Sequence, residues 1–264
     1  MAESKLIPLA ERLLGGGRTL PENIRRILSR MEAGKSTWAE AQTLASWAGY
    51  RSGLELAAEL SGLGLEGAEL AQRVELAVTA TLNANYELVS AAAQSVQQGL
   101  NASAGIGLKV QKAGINKERV SGLVRELTGK ARDAEALDGW RGVLAQQVEN
   151  FARSVVDDTV RANVASHYRA GLRPKIVRRS SGGCCAWCDA LAGSYRYPDE
   201  VPDDLYRRHT NCNCIVEYLP GTGKAQNVWT KQTYRADGGA PARKALDALL
   251  TAKRKRQQAT GSRQ

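Results

Sequence analysis

Histidine and methionine each occur twice and phenylalanine once in these 264 residues. A core with one phenylalanine has to be filled by Leu, Val, Ala and Ile. Two histidines are too few for an enzyme that works through several imidazoles on a metal. No apolar run approaches the length needed to cross a bilayer. The start, Met1-Ala2-Glu3-Ser4-Lys5, has no basic-then-apolar leader, so a cytosolic product is expected. Cysteine is absent from residues 1–183 and again from 215–264. All five cysteines fall between Cys184 and Cys214, with His209 among them.

That stretch reads Cys184-Cys185-Ala186-Trp187-Cys188, then His209-Thr210-Asn211-Cys212-Asn213-Cys214. A C-x2-C turn can aim two sulfurs at one point, and His209 and Cys212 repeat the same separation. Cys212 and Cys214, two apart, share a side on an extended segment. Tetrahedral zinc takes four thiolate or imidazole donors. The candidate ligands are therefore Cys185, Cys188 and Cys212, with His209 or Cys214 in the fourth place. Cys184 is the spare. Disulfides are disfavoured in a reducing cytosol. With donors in surplus, the zinc is expected to be structural. Neither the H-x-E…P-C-x-x-C of deaminases nor the H-E-x-x-H of metalloproteases occurs, so no enzymatic role is expected. Such a site would supply much of the folding free energy of a segment that buries little apolar surface.

Charge is uneven. Residues 1–168 hold 19 basic and 19 acidic side chains, whereas residues 169–264 hold 18 and 8. The excess includes Arg169, Arg173, Lys175, Arg178, Arg179, Arg207, Arg208 and the run Lys253-Arg254-Lys255-Arg256. A basic segment attracts polyanions without sequence preference, so a non-specific DNA contact is expected here.

The expected fold is mainly α: a helical N-terminal region followed by a small α+β zinc-binding module. The division is a helical domain over 1–170, the Cys/His module over 171–235, and a basic C-terminal helix and tail over 236–264. Pro21 opens a helix, and further helices are read at 38–60, 66–100 and 116–132, with a glycine-containing break at 101–114. The clearest helix, about 139–168, carries Val148, Phe151, Val155, Ala152, Val156, Val160 and Val164 in a wide band. Arg153, Asp157, Asp158 and Arg161 fall largely on its polar side, His167 is a surface or capping residue, and Gly171 ends it. Strands are read at 175–180, 193–197, 215–218 and 227–230, and a last helix at 241–256. Pro220-Gly221-Thr222-Gly223 reads as a turn. Followed by Lys224-Ala225, it falls short of a phosphate loop.

Long helices, a strand, C-x2-C, about twenty residues, then R-R-H-x2-C-x-C and another strand: this order resembles the minor capsid proteins of tailed bacteriophages. These are the Mu F-like, or head morphogenesis, family, in its Gram-positive phage branch. The matching stretch is Val177 to Thr230, with the double cysteine and the closing Asn227-Val228-Trp229-Thr230. The resemblance implies a virion protein with a structural and assembly role near the portal. The portal or major capsid protein would be its partner, with further contact to packaged DNA, and it would pass through the host cytoplasm during assembly. The family's cysteines and histidine fall here on Cys185, Cys188, His209, Cys212 and Cys214. Some relatives carry a toxin domain after this module, and the roughly 35 residues after Thr230 are too few for one. The competing classes are a zinc-containing nucleic-acid-binding protein, which would need a reading helix beside the ligands, and a zinc-stabilised nuclease.

Overall fold

The computed structural model describes residues 6–14, 19–63, 65, 67–130, 140–180, 184–209, 211–226 and 233–235. Two short helices, α1 (Leu6–Leu14) and α2 (Glu22–Glu32), lead into α3 (Trp38–Ser61). Thr37 starts α3 with a capping box: its hydroxyl accepts from the Glu40 N–H, and the Glu40 carboxylate accepts from the Thr37 N–H. The long α4 (Gly67–Ser103) buries Leu70, Val74, Val78 and Leu82 on one stripe of four-residue spacing. An extended passage leads to α5 (Lys117–Lys130), and α6 follows over Arg141–Arg169.

Helices α3 and α6 lie backbone to backbone. A Cβ added at Gly53 would stand 2.5 Å from the Ala145 Cα, so only a hydrogen there permits the approach. On α6, Val148, Phe151, Val156, Val160 and Val164 are buried, as their spacing implies.

After Gly171 the chain enters a four-stranded antiparallel sheet in the order β2-β1-β3-β4. The strands are β1 (Leu172–Arg179), β2 (Gly193–Arg196), β3 (Ile215–Gln226) and β4 (Thr233–Arg235), with a short helix α7 (Ala186–Ala190) between β1 and β2. Mainly helical with a small sheet carrying the cysteines, the architecture is the one expected. The strand expected at 227–230 and the helix at 241–256 lie outside the described residues.

Three local expectations change. Pro220–Gly223 is not a turn: β3 runs through it and pairs Thr222 and Gly223 with Arg173 and Leu172. Gly221 has φ +74°, and a Cβ there would lie 1.6 Å from the Arg173 carbonyl oxygen. The glycine thus serves an irregularity opposite Pro174, where the register shifts, so a turn-forming dipeptide sits inside a strand. His167 is not at the surface but fully buried, its Nδ1 bonded to the Tyr218 hydroxyl. Strand β3 folds back over that end of α6, which no pattern local to the helix announces. Arg153 and Asp157 are buried as well, because the sheet and its loops cover the side of α6 that reads as polar.

The sheet also shares the helical core. Ile176, Leu205, Val216 and Tyr218 join the same buried cluster as Val148 and Phe151. Residues 171–226 therefore draw apolar stabilisation from α6, more than their length alone suggests, because a long helix lends them its second face.

Candidate metal centre

Two loops bring the donors together. Cys185 caps α7 and Cys188 lies one turn on, with the Asp189 N–H bonded to the Cys185 carbonyl at 3.0 Å. On the other loop the Cys212 N–H reaches the His209 carbonyl at 3.2 Å, and Asn211 takes φ +61° to close that turn. Asparagine tolerates this left-handed conformation better than most residues. Cys214 then precedes β3.

The five donor atoms form two triplets that share Cys188. One is Cys185, Cys188 and His209; the other is Cys188, Cys212 and Cys214; within each, all atoms lie within 4.8 Å of one another. His209 Nε2 is 3.3 Å from the Cys185 Sγ and 2.9 Å from the Cys188 Sγ. The Cys188 and Cys212 sulfurs are 3.7 Å apart. Bonds of about 2.3 Å from sulfur to zinc, spread tetrahedrally, set neighbouring sulfurs about 3.8 Å apart. The arrangement can hold a metal ion. All five cysteines are free thiols, and Cys184 stands outside both triplets, its sulfur 3.9 Å from Asp189 Oδ1.

Cys188, Cys212 and Cys214 are buried, whereas Cys185 is exposed. Burial pushes the Cys188 and Cys214 thiols up. Burial acts on Cys212 in the same sense but is outweighed by the Cys214 N–H and the Arg208 guanidinium, so its thiol is lowered. Cys212 is thus the thiol of this triplet most ready to ionise.

Sequence reasoning put Arg178 and Arg208 in a basic surface. Both side chains are buried, and both belong to the centre. Arg178, 2% exposed, donates through Nη1 to the Leu205 and Arg207 carbonyls and through Nη2 to the Cys188 and Cys212 sulfurs at 3.7 and 3.8 Å. Its guanidinium lies 5.3 Å from the Trp187 ring, and Trp187 meets the His209 ring edge-on at 5.8 Å. Arg208 donates to both Asp157 oxygens and, through Nη1, to the Cys212 and Cys214 carbonyls at 3.3 and 3.0 Å. Arg153 adds a second tie from α6, from Nη2 to Asn213 Oδ1 at 3.0 Å. A signal for Arg178 did exist: alternation along β1 puts it on the same face as the buried Ile176. None existed for Arg208, whose partner lies 51 residues away.

Among the described residues, no helix is long and apolar enough to cross a membrane. No curated protein and no solved structure matches this chain. One family model, described as VG15 protein, matches residues 54–236, from the middle of α3 through β4, and so takes in the long helices and the cysteine loops together. By that match the chain belongs to the VG15 protein family, a family of phage proteins.

Proposed function

We propose that this chain is a minor capsid, or head morphogenesis, protein of a tailed phage, structural rather than enzymatic, acting near the portal. The observation that carries this reading is the match of a phage family model across both the helices and the cysteine cluster. The C-x2-C…R-R-H-x2-C-x-C order within that span is the one the Mu F-like proteins share. Helices α1–α6 would meet the portal or the shell.

The metal is zinc. Clustered thiolate and imidazole donors suit zinc better than the oxygen-preferring cations. It would be held by donors from Cys185, Cys188, His209, Cys212 and Cys214, and would cross-link the α7 turn to the entry of β3. Five donors for four positions leave no open place for a reacting water, which supports a structural ion.

Contact with DNA rests on fewer residues than the net charge implies. Arg178 and Arg208 are buried, and Arg179, Arg196 and Arg207 pair with Glu217, Glu200 and Asp204 of the same module. Arg169 and Arg173 are exposed and Lys175 half-buried, which leaves these for phosphate among the described side chains of the module. The basic run 253–256 lies outside the described residues.

The test is the particle. Mass spectrometry of purified heads of the encoding phage should find this chain at far lower copy than the major capsid protein. Its absence from both proheads and virions would overturn the reading.

A further inference from the structure

Arg178 has an environment that its neighbours do not explain. It is 2% exposed, and among the described residues no carboxylate lies within ion-pairing distance. Its Nε has no hydrogen-bond partner among them either. Two carbonyls take Nη1, Nη2 faces the sulfurs of Cys188 and Cys212, and the Trp187 ring, 5.3 Å away, is a partner without charge. A cation sealed from water in this way is costly unless an anion shares the site. The groups it faces become anionic when they bind a metal.

Arg208 is the second cation at the centre, and it already has its anion. Asp157 meets it at 2.5 and 2.9 Å, with side-chain exposures of 1% and 2%. Its remaining Nη1 holds the Cys212 and Cys214 carbonyls and lies 4.0 Å from the Cys212 sulfur. Both guanidinium groups therefore converge on Cys212.

Charge then separates the two ligand sets that spacing leaves open. A divalent ion on three thiolates and a neutral imidazole carries one negative charge. Arg208 and Asp157 cancel, and Arg178 supplies the one positive charge that remains. A fourth thiolate in place of the imidazole leaves one buried negative charge uncompensated. Asp189, the acid beside the α7 turn, is exposed and faces Cys184. His209 Nε2 lies 3.3 and 2.9 Å from the Cys185 and Cys188 sulfurs, and Cys188 links that triplet to the one of Cys212 and Cys214, so charge decides between His209 and Cys214 where distance alone does not.

We propose that Arg178 and Arg208 are counter-charges built into the fold for a metal–thiolate centre, and that they select Cys185, Cys188, Cys212 and His209 as its ligands, leaving Cys214 unligated. This rests on the zinc reading above. Neither arginine touches the ion; both are positioning residues that donate N–H bonds to the ligand sulfurs and to the loop behind them.

The experiment uses the purified full chain loaded with zinc, or with Co²⁺ as a spectroscopic substitute. The thiolate-to-cobalt charge-transfer intensity should report three sulfurs. Cys214→Ser should keep one metal per chain and the same spectrum, and His209→Ala should shift the cobalt ligand-field bands. Arg178→Met should weaken zinc binding, read by competition with a chelator, by about 10- to 100-fold. Arg178→Lys should recover much of that loss, which a purely packing role would not allow. A four-sulfur spectrum, metal loss in Cys214→Ser, or wild-type affinity in Arg178→Met overturns this proposal while leaving zinc in place. If Arg178→Met does not fold, the Cys214→Ser and His209→Ala spectra decide. Failure of the wild-type chain to bind any metal instead sinks the zinc reading itself.

Discussion

Arg208 and Asp157 form a two-point buried ion pair: Nε meets one carboxylate oxygen at 2.5 Å and Nη2 the other at 2.9 Å. Asp157 stands in the middle of α6, and Arg208 stands beside His209 on the second cysteine loop. The pair fastens the cysteine loops to a central helix of the core. Replacing Asp157 with Ala strands a buried guanidinium and should cost about 3–5 kcal/mol. Urea unfolding of the loaded protein measures it; a loss below about 1 kcal/mol would mean that water reaches Arg208 and that the pair is not a fastening.

His167 makes stability depend on pH. Burial lowers its pKa from 6.5 to about 4, and its Nδ1 shares a hydrogen bond with the Tyr218 hydroxyl. The unfolded chain takes up a proton at this site below pH 6.5 while the folded chain resists until about 4. The stabilisation is therefore complete above pH 6.5 and is lost as pH falls through that window, by about 3 kcal/mol at most. Comparing unfolding free energies of wild type and His167→Asn at about pH 7 and about pH 4.5 isolates the effect from the carboxylates and the metal. Equal slopes in the two proteins would contradict it.

Gly53 tests the packing of α3 against α6. A branched side chain there meets the Ala145 backbone, which cannot rotate away. Gly53→Val should lower stability by about 1–3 kcal/mol or more, the usual range for overpacking. An unchanged melting temperature would show that the two helices can separate at no cost.

Chelation should act locally. Removing a bound metal would take away the link between residues 185–188 and 209–214, whereas α3 and α4 stay packed within the helical part of the core. Hydrogen exchange with and without chelator should show protection falling in 184–216 and persisting in the buried turns of α3 and α4. An equal fall in both regions would mean that the ion supports the whole chain.

DNA binding, if it follows the exposed cations, should be non-specific and salt-sensitive. Replacing Arg169 and Arg173 with Ala should reduce the slope of log affinity against log salt by about 0.9 for each phosphate that is no longer neutralised. Replacing Arg179, already paired with Glu217, should change it less. Absence of binding by the wild-type chain at low salt removes DNA from its partners.

Much of this was legible along the chain. Val148 to Val164 recur at helical spacing, and their burial follows from that period alone. Cys185, Cys188, His209 and Cys212 mark a candidate metal centre through i, i+3 pairs, because a tight turn can bring such pairs to face one point. The helical build of residues 1–170 and the paired cysteine knuckles are equally local signals.

What the sequence by itself determined, then, was the long helices, the strand beginnings at 193 and 215, and the set of candidate donors, whereas the first strand, read from 175, begins at Leu172. Each depends on residues within a turn or two of one another. Tertiary structure decided which charges go inside. Arg208, Arg153, Asp157 and His167 look like solvated side chains in any local window. They are buried because β3 and the cysteine loops fold back onto the polar side of α6, tens of residues away. A charged side chain carries no mark of its distant partner, so its burial is settled only when the pair is assembled.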